Sequence, residues 1–225
     1  MFPDADLDAA IRGATTGIFY GKGEVCAAGS RLLVDKSIKS EFVDKAAARA
    51  KKMSPGDPMD PKTRLGAISS KKQLENDLRY IEIAKQEGAQ LVAGGSRADI
   101  GTGKGYFLQP TVFDGVTPEM TIAREEIFGP VLADDRVRRR RRGDRARERF
   151  ELTAWPRRSG RRTSRRRTMS RASSRPAPCG STPTTSTTRR APFGGYKQSG
   201  FGREMSMHAL EHYTQVKSVW VDLNQ

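Results

Sequence analysis

Residues 17–34 read GIFYGKGEVCAAGSRLLV, and this stretch gives the chain its clearest structural signal. The run RLLVD, Arg31 to Asp35, has the length and the aliphatic content of a buried strand. The lone cysteine Cys26 stands among small residues just before that run. A free cysteine in such a position is commonly a buried structural thiol. The small neighbours equally leave the backbone uncrowded, so that a substrate carbonyl could approach the sulfur and N–H groups could face the oxyanion that forms.

On both sides of this strand, helical periodicity alternates with short β-rich runs, which predicts an α/β protein. Asp6 is expected to cap a helix whose apolar face carries Leu7, Ile11 and Ala14, and Ser37 is expected to open a second helix. The further elements expected in chain order are a helix at 71–86, a strand at 90–93, a strand at 106–113 with Pro110 at an edge or bulge, a short helix at 205–213 and a half-buried strand at 216–221.

The charge of the chain is concentrated in one segment. The formal net charge is +15 and the sequence pI is about 10.3, values that on their own suggest a nucleic-acid binder. Residues 134–190 contain 20 Arg, no Lys and 5 acidic residues, so this segment carries the whole +15 and the other residues are neutral in sum. The segment has no sustained apolar periodicity and contains a Ser/Thr/Pro tract, so we expect it to be disordered.

Several classes of protein are disfavoured by the sequence. No run of about 18 apolar residues occurs, and the start, MFPDADLDAA, is acidic where a secretory signal would be basic and then apolar. We therefore expect a soluble protein with no membrane partner. Cys26 and Cys179 give no disulfide framework, so we expect a cytoplasmic location. His208 and His212 lack further ligands, and GTGKG at 101–105 lacks the spacing of a P-loop, so we expect no metal site and no P-loop.

Three blocks resemble signature sequences of the NAD(P)-dependent aldehyde dehydrogenase family, in the family's order. They are GIFYGKGEVCAAGSRLLV at 17–34, EEIFGPVL at 125–132 and PFGGYKQSGFGRE at 192–204. The resemblance implies an α/β fold, the three-layer catalytic domain of that family, here incomplete. It also implies that Cys26 is the nucleophile. In the family the thiolate adds to the aldehyde, the thiohemiacetal gives a hydride to the nicotinamide, and the resulting thioester is hydrolysed.

The cofactor implied by the resemblance is NAD or NADP. By resemblance, Glu126 binds the ribose next to the nicotinamide and Phe128 packs near the ring. On the residues alone, Glu126 would be interpreted as a capping or solvated acid. The third block resembles a glycine-rich loop that the family places near the catalytic centre, and we interpret its role as structural first; its residues include Lys197, Gly200, Gly202 and Glu204.

The resemblance divides the chain into three parts. Residues 1–133 correspond to the first part of the catalytic domain, 134–190 to an insert, and 191–225 to the C-terminal motif and terminal strand. The family's N-terminal half supplies a Rossmann-like cofactor domain, the general-base glutamate and an oxyanion-hole asparagine, and nothing in the chain resembles it. We therefore expect a fragment that retains the nucleophile for a small aldehyde substrate but is inactive alone.

Back-translation offers an account of residues 134–190. Read one base earlier, CGSTPTT at 179–185 permits VWVNTYN, a string typical of the family just before its PFGG block. RSGRRTS at 158–164 also permits a family-like string, and the five arginines at 138–142, read from the second base, permit aspartates. The shifts differ, so at least three small insertions or deletions are implied. We interpret the segment as a frame disruption.

Two alternatives stay open at this point. A basic protein that binds nucleic acid would use the arginines for phosphate contacts. The segment offers only Phe150 and Trp155 for stacking and no recognisable helix for a groove, so no specific nucleic-acid partner is expected. The family forms dimers and tetramers, so the resemblance also allows an inert partner of intact relatives. Neither the particular aldehyde nor the choice between NAD and NADP can be read from these residues.

Overall fold

The computed structural model describes residues 1–137, 153–154 and 192–223, with side chains described except at 135–137, 153–154 and 196–197. The elements in chain order are α1 (Leu7–Phe19), β1 (Arg31–Asp35), α2 (Lys39–Lys51), α3 (Lys71–Gln86), β2 (Gln90–Ala93), β3 (Thr111–Val116), α4 (Thr121–Arg124), β4 (Val131–Val137), β5 (Thr153–Ala154), β6 (Tyr196–Lys197) and α5 (Leu210–Tyr213). Two turns of 3-10 helix cover Tyr20–Gly23 and Met207–Ala209.

Four strands form the main sheet, in the order β1, β4, β3, β2. β4 pairs parallel with both β1 and β3, whereas β2 pairs antiparallel with β3. The sheet is thus mixed, and β4, the last of its strands in the sequence, lies inside it. The strands β5 and β6 form a separate antiparallel pair.

Helices cover both faces of the main sheet. The side chains of β3 and β4 alternate, because successive residues of a strand point to opposite faces. On one face, Val112 and Leu132 pack with residues of α1 and α2. On the other face, Phe113 and Val131 pack with residues of α3 and α4. A smaller cluster joins α1 and α2 to β1. This arrangement confirms the expected α/β, three-layer architecture.

Most of the early elements form where the sequence predicts them. The Asp6 carboxylate accepts a hydrogen bond from the N–H of Ala9 and caps α1, as expected. The predicted bounds of β1, α3 and β2 agree with the structure. The second helix begins at Lys39 and is not capped by Ser37. The hydroxyl and the N–H of Ser37 both donate to Asp35, so that side chain belongs to the turn before the helix.

The strand expected at 106–113 begins later, at Thr111. Pro110 has no N–H to donate to a ladder, and regular pairing begins at the residue after it. Before the proline, Leu108 forms only an isolated bridge with Arg97.

The C-terminal expectations are met in part. Residues 207–213 form a 3-10 turn followed by α5, which matches the short helix predicted at 205–213. The half-buried strand predicted at 216–221 is wrong: these residues have no strand, and Val216 and Trp220 are 102% and 92% exposed. An alternating pattern becomes a strand only beside another strand, and no described strand lies beside this one.

The Arg-rich segment lies largely outside the described residues, and so does the expectation that it is disordered and out of frame. β4 continues through residues 134–137, and residues 153–154 form β5. The division of the chain at residue 134 stays a prediction. Within the described residues, no helix is both long enough and apolar enough to cross a membrane.

Candidate active site

Cys26 lies in a turn between α1 and β1. The N–H of Ala28 donates to the carbonyl of Val25 at 2.8 Å, so Cys26 is a central residue of the turn. The N–H of Gly29 donates to the carbonyl of Gly17 at 3.0 Å and ties the turn to α1. The Cys26 side chain is exposed and free of any disulfide. The alternative interpretation of Cys26 as a buried structural thiol is therefore wrong.

A cluster of left-handed residues before Cys26 shapes the loop. Gly21, Lys22 and Gly23 have φ values of 58°, 64° and 73°. Only glycine adopts this region at little cost, so Lys22 is the exception and requires compensation from its surroundings. Its ammonium group pairs with the Glu24 carboxylate at 3.0 Å.

Glu24 links the same loop to Ser69. Its carboxylate accepts from both the hydroxyl and the N–H of Ser69, at 2.7 and 3.0 Å. Burial acts to raise the pKa of Glu24, but the Ser69 hydrogen bonds and the Lys22 charge outweigh it and hold the pKa below its usual range. Glu24 is thus a fixed negative charge two residues from Cys26.

The second block, residues 125–130, forms a turn packed against the Cys26 loop. A Cβ on Gly23 would collide with the carbonyl of Gly129, so the two backbones meet with no room for a side chain. Gly23 is three residues before Cys26, and Gly129 is three residues after Glu126. The structure therefore brings together the two blocks that carry Cys26, Glu126 and Phe128.

The side chains of the turn differ in their freedom. Glu126 is exposed and makes no hydrogen bond or ion pair within the described residues. Glu125 is different, because it accepts from the Tyr80 hydroxyl at 2.8 Å. Phe128 is half-buried and adopts a φ of 64°, which is unusual for a bulky residue.

A polar face of α3 supports this turn from below, and the sequence reasoning missed it. The Gln73 side-chain amide donates to Asp77 and to the carbonyls of Ile127 and Phe128. Asn76 donates to the Ile127 carbonyl as well. The signal was present in the spacing: residues 73, 76, 77 and 80 recur on one face of the helix beside its apolar stripe.

The third block forms a closed loop of its own. Phe193 and Glu204 exchange both main-chain hydrogen bonds, at 2.8 and 2.7 Å. The Arg203 guanidinium donates to the carbonyl of Gly195, and the Arg203 N–H donates to Nε2 of His212. His212 thus has a structural partner. Among the described residues, no group of three or more His, Cys, Asp or Glu is arranged to hold a metal ion.

The side chains of the turn at 125–130 have the chemistry needed to contact a dinucleotide. The free carboxylate of Glu126 can accept from a pair of ribose hydroxyls, and a half-buried aromatic ring two residues away can pack against a flat heterocycle. Near Cys26, the N–H groups of Ala28 and Gly29 are already bonded, whereas those of Cys26 and Ala27 make no hydrogen bond within the described residues.

Comparisons with known proteins show the family of the chain. The model of the aldehyde dehydrogenase family matches residues 1–219. The chain is 44% identical to a betaine aldehyde dehydrogenase of Rhizobium etli and 40% identical to one of Brucella anthropi, over 99% and 100% of its length. It covers 46% of each, so it spans about half the length of the curated relatives that it matches.

Solved structures give the same result. An aldehyde dehydrogenase of Bacillus cereus superposes with a TM-score of 0.92 at 39% identity, covering 100% of this chain and 45% of that one. An indole-3-acetaldehyde dehydrogenase of P. syringae, solved as a mutant with NAD+ and IAA, superposes with a TM-score of 0.91 at 37% identity, covering 99% of this chain and 45% of that one.

Proposed function

Since the chain belongs to the aldehyde dehydrogenase family, we propose that Cys26 is the nucleophile of an enzyme that oxidises an aldehyde to a carboxylic acid. The observation that carries this proposal is the exposed thiol of Cys26, on a turn that follows Gly23, whose backbone packs directly against that of Gly129 in the second block. An exposed sulfur on an uncrowded turn can reach a carbonyl carbon, and the reactive form is the thiolate.

The chain also supplies two main-chain donors for that reaction. The N–H groups of Cys26 and Ala27 stabilise the oxyanion that develops when the sulfur adds to the carbonyl. Addition makes a thiohemiacetal on Cys26, and its oxidation leaves a thioester that water must cleave. We assign no residue of this chain as the base that activates the water.

The cofactor of the proposed reaction is NAD or NADP, which accepts the hydride when it is bound. Glu126 accepts hydrogen bonds from the ribose hydroxyls next to the nicotinamide, and Phe128 packs near the ring. Solved relatives were crystallised with NAD+, which supports the assignment of a nicotinamide cofactor. The Glu126 carboxylate has no hydrogen-bond or ion-pair partner among the described residues, which also supports the assignment, whereas Glu125 next to it accepts from Tyr80.

The 225 residues taken alone are proposed to form the covalent adduct without sustained turnover. The stretch that matches covers less than half of each full-length relative. The family's general base and most of its cofactor domain have no counterpart in these residues. Small aldehydes, a cytoplasmic location and assembly into dimers or tetramers stay predictions from the family.

The Arg-rich segment is proposed to be an out-of-frame stretch rather than a nucleic-acid surface. One structural detail supports a break near residue 134. In β4, Val131, Leu132 and Ala133 are buried apolar residues, and the next residue, Asp134, is 1% exposed and pairs with Lys39 at 3.4 Å. A carboxylate in a sheet core is costly to desolvate. Sequencing the gene through codons 134–190 tests the proposal, because restorable insertions or deletions are expected there.

The test of the nucleophile uses thiol labelling. Iodoacetamide should modify Cys26 in a Cys179→Ser chain, and NAD+ should change the labelling rate if the cofactor binds beside it. Glu126→Gln should reduce that NAD+ effect, whereas the matched control Glu125→Gln should retain it. An NAD+ effect that survives Glu126→Gln would contradict the assignment.

The test of turnover follows NADH absorbance with a panel of small aldehydes, including betaine aldehyde and indole-3-acetaldehyde. We expect no sustained NADH production, and Cys26→Ser should remove any covalent aldehyde adduct seen by mass spectrometry. Repeated turnover at substrate excess would contradict the proposed inactivity of these residues alone.

A further inference from the structure

Asp77 is a fully buried carboxyl group directly beneath the proposed site. It lies on α3 with 0% exposure. Its Oδ1 accepts from the Gln73 amide at 2.7 Å, and its Oδ2 has no hydrogen-bond partner among the described residues. A carboxyl group so deeply buried is expensive unless something in the fold uses it.

The Asp77 carboxyl lies against the turn that carries Glu126 and Phe128. A Cβ on Gly129 would collide with the carboxyl group, and a Cβ on Gly23 would collide with the carbonyl of Gly129. Asp77, Gly129 and Gly23 therefore form a stack of direct contacts from α3 through the turn to the Cys26 loop. Packed groups of this kind transmit small shifts, because interiors have few voids.

Gln73 connects Asp77 to the same turn in a second way. Its amide nitrogen is 2.7 Å from Asp77 Oδ1, 3.0 Å from the Ile127 carbonyl and 3.3 Å from the Phe128 carbonyl. The amide has two hydrogens for these three acceptors. A charged carboxylate is a stronger acceptor than a neutral carboxyl group, so the charge of Asp77 decides how firmly Gln73 holds the turn.

We propose that Asp77 is a positioning residue: through Gln73 and Gly129 its neutral form holds the Glu126–Phe128 turn against the Cys26 loop, and its ionised form loosens that turn. This inference rests on the proposed roles of Cys26, Glu126 and Phe128. Asp77 itself touches no reacting atom, so its effect is on the alignment of the site.

The surroundings of Asp77 put its change of charge in the physiological range. Burial raises the pKa of Asp77 to about 7, opposed by the Gln73 hydrogen bond and assisted by the negative charge of Glu24. From the Cys26 loop, Glu24 faces it with a charge that is shared with Lys22. The turn presents main-chain carbonyls to Gln73, and α3 contributes the neutral Gln73 amide.

The experiment measures alkylation of Cys26 by iodoacetamide across the pH range, in the full chain with Cys179→Ser. Asp77→Asn keeps an oxygen for Gln73 but cannot ionise, and every other group still titrates. Asp77→Leu keeps the branching at Cγ, with methyl groups larger than the carboxyl oxygens, and removes the acceptor. The exposed Asp44 supplies the control variant Asp44→Asn. Circular dichroism shows which variants are folded at each pH.

The expected result is a ratio of labelling rates, parent chain over Asp77→Asn, that is flat below the pKa of Asp77 and changes by at least about twofold across it. Asp77→Leu, if folded, should differ in labelling rate from the parent chain and from Asp77→Asn at every pH. Asp77→Asn should label at every pH as the parent chain with neutral Asp77 does. A merely structural role would change unfolding without this pattern. Identical profiles for the parent chain and Asp77→Asn would overturn the proposal.

Labelling needs neither NAD+ nor turnover, so its outcome separates from that of the proposed function. A pH step with no NAD+ effect on labelling would support the role of Asp77 and contradict the cofactor assignment. The reverse pattern, an NAD+ effect without the pH step, would overturn the role of Asp77 alone.

Discussion

Residues 131–133, in the region 1–137, and residues 216–221, in the region 192–223, are both rich in apolar residues, but only the first run is buried. In β4, the apolar residues 131–133 are buried between β1 and β3, with helices on both faces. In VKSVWV at 216–221, by contrast, the four apolar side chains are all exposed. An apolar run therefore marks a segment that could join a sheet, whereas the presence of a neighbouring strand decides whether the strand forms.

The first and largest test of this difference compares two left-handed glycines. Gly23→Ala should destabilise the chain by about 5 kcal/mol or more, because its Cβ meets the fixed carbonyl of Gly129 and φ is 73°. Gly200→Ala, at φ 90° with nothing within 4 Å of its Cβ, should cost only about 1 kcal/mol. Chemical denaturation measures both. Equal losses would mean that 192–223 is as tightly packed as the Cys26 loop.

The second test compares two large aromatic side chains. Phe113→Ala should cost about 4 kcal/mol, because Phe113 is fully buried between β3 and α3 and its removal leaves a cavity. Trp220→Ala should change the free energy of unfolding by less than about 0.5 kcal/mol, because the indole contacts mainly solvent. A loss of several kcal/mol for Trp220→Ala would show that this side chain is buried in solution.

The third test uses pH. The folded chain holds a proton on Asp77 that the unfolded chain releases near its ordinary pKa of 3.8, so stability falls as pH rises toward about 7 and is then unaffected by this group. Between about pH 5 and about pH 6.5 the fall should be about 2 kcal/mol. Glu24 and Asp35, whose pKa values are lowered, act below this window: the stability that they contribute is lost on acidification.

The variants locate that pH dependence in the first region. Asp77→Asn should flatten the slope of unfolding free energy against pH. The control variant Asp222→Asn, at an exposed position, should leave that slope unchanged. A slope that persists in Asp77→Asn would assign the dependence to another group.

The smallest test concerns helix caps. Asp6→Ala should cost about 1 kcal/mol, because it removes the acceptor for the Ala9 N–H at the start of α1, which packs on the sheet. Ser206→Ala removes a comparable bond to the His208 N–H in the exposed 3-10 turn and should cost less than about 0.5 kcal/mol. Equal costs would show that the two regions depend on their caps alike.

Local chemistry made much of the first region predictable. Ser70 caps α3 through the Gln73 N–H, and the apolar spacing of that helix fixed both of its ends. Helix α2 was misplaced by two residues because Ser37 had a competing partner in Asp35. The strand predicted at 106–113 lies instead at 111–116, because Pro110, predicted at an edge or bulge, precedes the strand.

The motifs of the candidate site could be predicted from the sequence, but the tertiary contacts that hold them together could not. The small residues around Cys26 and the glycine of the second block are visible in the sequence. The contact between Gly23 and Gly129 joins residues about 100 positions apart, and no local pattern predicts such a pairing. Asp77 was missed for the same reason: in the sequence it is one more acid on a charged helix, and only the tertiary structure buries it.

The position of β4 inside the sheet has a consequence for how the chain folds during synthesis. β1 pairs residue by residue with β4. The pairing of Arg31 with Ala133 therefore requires the synthesis of roughly 100 further residues after Arg31. At a translation rate of about 5–20 residues per second, this delay is roughly 5 to 20 s. During that time α1 and α2 can pack against each other, but the sheet that covers their apolar faces is not complete. A ribosome paused just before residue 131 would therefore hold a nascent chain with β1 still unpaired, a natural substrate for chaperones that bind exposed apolar segments.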